Sequence, residues 1–108
     1  MEIINLTPHA IMFVRVDGKP SLIVPASENL ARVSAKTVDT GITINGIPVT
    51  KTEYGEVVGL PDPEEGKIYV VSALVAQRVP ERTDVFVPSE SVRDAEGRII
   101  GCRSLGRI

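Results

Sequence analysis

Apolar residues recur along this chain in short runs with a period of two, the spacing of strands rather than helices. Residues 30–38 show it most clearly. Leu30, Arg32, Ser34 and Lys36 fall on one face, and Ala31, Val33, Ala35 and Thr37 on the other. This predicts a strand with one buried face of small side chains. Residues 10–16 and 21–24 form a second apolar pair around Asp17-Gly18-Lys19-Pro20, and Asp-Gly is a hairpin signal. A further hairpin is predicted where Ile42-Thr43-Ile44 and Ile47-Pro48-Val49 flank Asn45-Gly46. Both central positions of a type I′ turn need positive φ, which Asn and Gly tolerate.

Residues 51–58 read as continuing strand, with Gly55 as a bulge. Residues 60–66 carry two prolines and an acidic pair, a rigid exposed connector that is too short to divide domains. An apolar strand follows at 67–71. Ser72 then precedes Ala73-Leu74-Val75-Ala76-Gln77-Arg78-Val79, the one helical pattern in the chain. Ser72 is its expected N-cap and Pro80 its stop. Residues 83–87 read as a strand ended by Pro88, 94–97 as a turn, and 98–102 as a last strand. The expected fold is mainly β (β-rich α+β), a small barrel or sandwich of about seven or eight short strands with one short helix. A length of 108 residues places residues 1–108 in a single domain.

Composition supports this picture. The apolar fraction is 43%, high enough for a core, and it is dominated by Val, Ile and Ala with only four aromatic residues. A net charge of −2 without a basic run argues against nucleic acid as a partner. No apolar run approaches the roughly 20 residues that span a bilayer, and the N-terminal residues lack a signal-peptide pattern. One cysteine excludes an intrachain disulfide framework, so the expected location is the reducing cytoplasm.

The chemistry-bearing residues are few. His9 closes Asn5-Leu6-Thr7-Pro8-His9, and Cys102 lies in Gly101-Cys102-Arg103-Ser104-Leu105. A Cys–His pair is nucleophile and base if the fold brings the two together, whereas a lone cysteine is more often a small buried hydrophobe. Asn5 and Thr7 are side chains that cap their own backbone, which gives the His9 segment a structural reading as well. One His and one Cys cannot close a zinc site, and no metal or cofactor is expected. Six of the eight arginines lie at or after Arg78, and guanidinium groups grip carboxylate and phosphate in a fork. Arg82 and Asp84, two apart at a strand entry, point the same way and are expected to pair.

Three stretches taken together carry a resemblance: residues 5–9, residues 71–88 with Ser72, Arg82, Thr83, Asp84 and Pro88, and residues 101–105. The chain resembles small uncharacterised proteins of bacterial and phage genomes that open with the NLTPH signature, nearly end to end. That resemblance implies a prophage-like setting and carries no catalytic assignment.

The resulting expectation is non-catalytic binding of a small anionic ligand, such as a nucleotide, or of a protein partner. The candidate binding residues are His9, Ser72, Arg78, Arg82, Cys102 and Arg103. The alternatives are a structural or assembly subunit, phage-related and homo-oligomeric, and a small hydrolase or transferase working through His9 and Cys102.

Overall fold

A computed structural model describes residues 1–108. It is mainly β, with eight strands and one short helix: β1 (Glu2–Asn5), β2 (Ile11–Val14), β3 (Pro20–Val24), β4 (Arg32–Ile44), β5 (Ile47–Val58), β6 (Lys67–Val70), α1 (Ala73–Arg78), β7 (Val85–Arg93) and β8 (Ile99–Gly106). Six strands make one mixed sheet in the order β1-β6-β7-β8-β2-β3. β1, β6 and β7 run parallel, β7 and β8 antiparallel, β8 and β2 parallel, and β2 and β3 antiparallel. The sheet curls until its two edges meet. Just past β3, Ala26 bridges Asn5 of β1, and the Ser27 amide donates to the Asn5 carbonyl at 2.9 Å. The two edges are joined at this one point, while β1 and β3 remain the end strands of the sheet.

The helix is the crossover that parallel pairing of β6 with β7 requires. It forms where predicted. Ser72 is extended, and its hydroxyl accepts from the Val75 amide at 3.4 Å. Leu6, Ala31, Tyr69, Val71, Val75, Ala76 and Val85 pack into one cluster, which places α1 and residue 31 against one side of the sheet. Alternation sends Val70 to the other side, where it meets Ile11 and Cys102, backed by Ile3, Phe13 and Leu105.

Two strand boundaries differ from those expected, for local reasons. Pro88 does not end β7, which continues to Arg93 with Pro88 opposite Leu105. β7 pairs with β6 only through Val85 and Phe86, so beyond them one side of the strand has no ladder. A missing N–H is harmless on that side. Residues 30–44, read as two strands, are in the main one. Thr40 and Gly41 form a bulge between the pairs Asp39–Thr50 and Ile42–Val49, and Gly41 takes φ +79°. The pattern breaks there while the ladder resumes.

The larger difference is where β4 and β5 lie. They pair only with each other, as a separate two-stranded ribbon. At about 3.3 Å per residue, twelve residues extend about 40 Å. The radius of gyration is 17.2 Å, whereas a compact chain of this length has about 13 Å. Val33 and Val57, paired at the ribbon's base, pack against the first cluster. The buried small-residue face expected for 31–37 is therefore confined to that base: Ala31 is buried and Val33 half-buried, but Ala35 and Thr37 are exposed. Alternation marks a face without saying whether anything covers it.

Candidate functional site

The NLTPH segment is built around the Asn5 side chain, which is 1% exposed. Its amide nitrogen donates to the carbonyls of His9 at 2.8 Å and Val24 at 3.2 Å. Its carbonyl oxygen accepts from the Thr7 amide at 3.0 Å and the Thr7 hydroxyl at 2.6 Å. All the usual valences of a buried amide are thereby used, and the loop is tied to the seam where the sheet closes. His9 contributes its backbone carbonyl to this network, while the residue itself is exposed.

Cys102 is buried at 4% exposure, opposite Phe13 of β2 and Ser91 of β7. Burial pushes its thiol pKa up, offset in part by the backbone amides of Ser89 and Ser104. That is the reverse of the shift that makes a reactive thiolate. His9 is not among the residues that line the groove containing Cys102. No hydrogen bond joins the side chains of His9 and Cys102, the pair that the hydrolase or transferase alternative would use: His9 is exposed and Cys102 buried.

Two of the three candidate arginines, Arg82 and Arg78, have partners within the fold. Arg82 forms a two-pronged pair with Asp84 at 2.8 and 2.9 Å and also donates to the Pro61 carbonyl at 2.9 Å. The hydrogen bond from Arg82 holds the Asp84 carboxyl below its ordinary pKa, and the reciprocal bond raises that of Arg82. Arg78 donates to the carbonyls of Tyr54 and Gly55 at 3.0 and 3.2 Å, and its guanidinium lies 5.9 Å from the Tyr54 ring centroid. It fastens α1 to the ribbon. Ser72 caps a helix of only six residues. Arg103 is exposed, next to Cys102 in sequence but on the outside. The six candidates therefore do not converge on one pocket. No cluster of three or more His, Cys, Asp or Glu side chains has metal-holding geometry.

Two surfaces escaped the sequence reading. The first is the tip of the ribbon. Ile42 pairs with Val49 and Ile44 with Ile47, so these four side chains share one face. Ile42, Ile44 and Ile47 are 58%, 61% and 66% exposed. Asn45 and Gly46 take φ values of 51° and 80°, the turn anticipated from Asn-Gly. The second is a groove of about 350 Å³ in the wall of the barrel. Met12, Ile23, Ile99 and Ile100 line it, with Gly101 and Cys102 beside them, and no charged residue lines it. Hydrophobic runs at 42–49 and 98–102 were visible in the sequence, but their lack of cover was not.

No protein-family model matches the chain. No curated protein and no solved structure matches it either. No helix is long and apolar enough to cross a membrane.

Proposed function

We propose that this chain is a non-catalytic assembly subunit that binds a protein partner through its β4–β5 ribbon. The observation that carries this reading is the tip, where Ile42, Ile44, Ile47 and Val49 form one apolar face on an extension that packs against the body only near its base. A two-stranded ribbon is marginal in water, and an apolar cluster at its end adds a surface that water disfavours. A docking element resolves both, because the bound partner covers the face and orders the strands. The phage-like setting implied by the NLTPH segment suits such a subunit. Anion binding by the arginine set draws less support, since Asp84 and backbone carbonyls already hold Arg82 and Arg78.

A photo-crosslinking residue placed at Ile44 of the full chain in its host cell tests the reading. Val16, at 91% exposure in another hairpin, serves as control. A protein adduct of defined mass from position 44, and none from 16, is the expected result. Equal or absent labelling at the two positions overturns the proposal.

A further inference from the structure

A cavity of about 560 Å³ lies between the roots of the ribbon and the β1–β6 pair. One face of that pair is its floor. Glu2 stands opposite Lys67 and Ile4 opposite Tyr69, and a spacing of two puts Lys67 and Tyr69 on the same face. Leu30, Gly59 and Leu60 make the roof, just before β4 begins and just after β5 ends. Gly59 lets the two roots meet. It takes φ +88°, and a Cβ there would collide with the Leu30 carbonyl oxygen.

Tyr69 belongs to the first apolar cluster and is 1% exposed. Its hydroxyl has no hydrogen-bond partner within the fold, yet no fully enclosed side-chain oxygen is left without one. The sliver of Tyr69 that stays accessible is therefore its hydroxyl, and the cavity is where it opens. A tyrosine hydroxyl this deep in a core ordinarily has a partner. Here the partner has to come from the cavity.

We propose that this cavity binds an uncharged small molecule with a compact apolar body and one hydroxyl or carbonyl group, which hydrogen-bonds to Tyr69. The lining sets that chemistry. Ile4, Leu6, Leu30 and Leu60 give apolar walls. The two charged residues of the lining cancel, since Lys67 Nζ lies 3.0 Å from the Glu64 carboxylate. Glu64 raises the Lys67 pKa, and Glu2 adds to the effect from β1. A charged ligand of either sign would have to compete with that pair. The volume lies within the roughly 300–1,000 Å³ of small-molecule sites, which combine apolar walls with a few placed polar groups. None of the six candidate binding residues lines this cavity, so the site goes beyond both the anion reading and the docking ribbon.

A nuclear magnetic resonance titration of the isotopically labelled full chain tests the proposal. The probes are para-cresol and toluene, which share a methylated ring and differ by the hydroxyl. The expected result with para-cresol is a set of saturable shifts at the amides of Leu30, Gly59, Leu60 and Tyr69, without matching shifts at Met12 and Ile99 in the apolar groove. Tyr69→Phe removes a hydroxyl that holds nothing else in place, and unchanged thermal unfolding checks that the variant folds. It should weaken para-cresol binding about three- to tenfold, the worth of one neutral hydrogen bond, and leave toluene binding unchanged. No saturable shift at millimolar para-cresol overturns the proposal, as do shifts confined to the groove. Both readouts use the wild type alone. Equal effects of Tyr69→Phe on the two probes, or no effect on either, also overturn it. None of these outcomes alters the Ile44 crosslinking result, which tests the ribbon separately.

Discussion

The side-chain amide of Asn5 donates to the backbone carbonyl of Val24 at 3.2 Å, across nineteen residues of sequence. Through this bond and the Ala26 bridge, the first strand meets the sheet's other edge. Asn5→Ala removes a donor from two carbonyls and an acceptor from Thr7 at a buried site. Leaving buried groups unsatisfied costs about 1–3 kcal/mol. Urea unfolding should show a free energy of unfolding lower by that margin. His9→Ala, which keeps the backbone carbonyl, should fall within about 0.5 kcal/mol of wild type. An equal effect of the two substitutions would refute the assignment of the NLTPH segment to loop architecture.

Arg82 and Asp84 are expected to make stability depend on acid. Asp84 has a lowered pKa in the folded chain, chiefly through its hydrogen bond with Arg82. The unfolded value for an aspartate is about 3.9. Their stabilisation is therefore fully present above that value and is lost as pH falls through the folded pKa. Asp84→Asn should destabilise the fold at neutral pH by about 1.5–3 kcal/mol, the range for hydrogen bonds to charged groups. The gap between wild type and variant should narrow below about pH 4. A gap that is constant with pH would show that charge plays no part.

The same two residues show what could be read in advance. Their pairing was legible from opposite charge at a spacing of two, although both lie ahead of β7, which begins at Val85, rather than on the strand expected from residue 83. So were the Ser72 cap and the Asn45-Gly46 turn, since each follows from its own few atoms. The order of strands was not, because β1 pairs with β6 across about sixty intervening residues and nothing local marks that choice. Pro88 misled as a strand end, since its tolerance depends on which side of β7 lacks a neighbour. Of the candidate site, only the separate roles of Ser72 and the Arg82–Asp84 pair were apparent. The tip and groove are defined by what does not pack on them, and hydrophobic patterning records only where apolar side chains are.

Cys102 should be a slow thiol. It is buried, and burial raises its pKa. Alkylation by iodoacetamide at pH 7 should proceed more slowly than for a free cysteine in the native protein and should accelerate on unfolding in urea. Native reactivity equal to or above that of the free amino acid would restore the nucleophile reading.

Arg78→Ala should release the ribbon from the helix while leaving the barrel intact. The bonds it makes to Tyr54 and Gly55 are solvent-exposed, so global stability should change by no more than about 1 kcal/mol. Amide exchange near the base of β4 and β5 should nevertheless quicken relative to β6. Uniform acceleration across all strands would instead indicate that Arg78 supports the whole fold.

Gly101→Ala tests how closely β8 and β2 approach. An added Cβ would meet the Met12 carbonyl oxygen at 2.6 Å and Val14 Cγ2 at 2.8 Å. Because the first of these is backbone, the strands must part, and overpacking of this kind costs about 1–3 kcal/mol. A drop in the thermal midpoint is expected, and an unchanged midpoint would mean that the wall is more compliant than its geometry implies.

The ribbon's irregularities limit where it can stick. Its ladder slips once between Val33 and Ala35 and again between Asp39 and Ile42, and Lys36, Lys51 and Glu53 stand on the stretch between. An offset, charged margin is a poor template for a further strand. Runaway lateral growth into a fibre is thereby disfavoured, although both margins of the ribbon are bare. The uncharged stretch of the ribbon is its end, residues 42–49, where Ile42, Ile44, Ile47 and Val49 share one face.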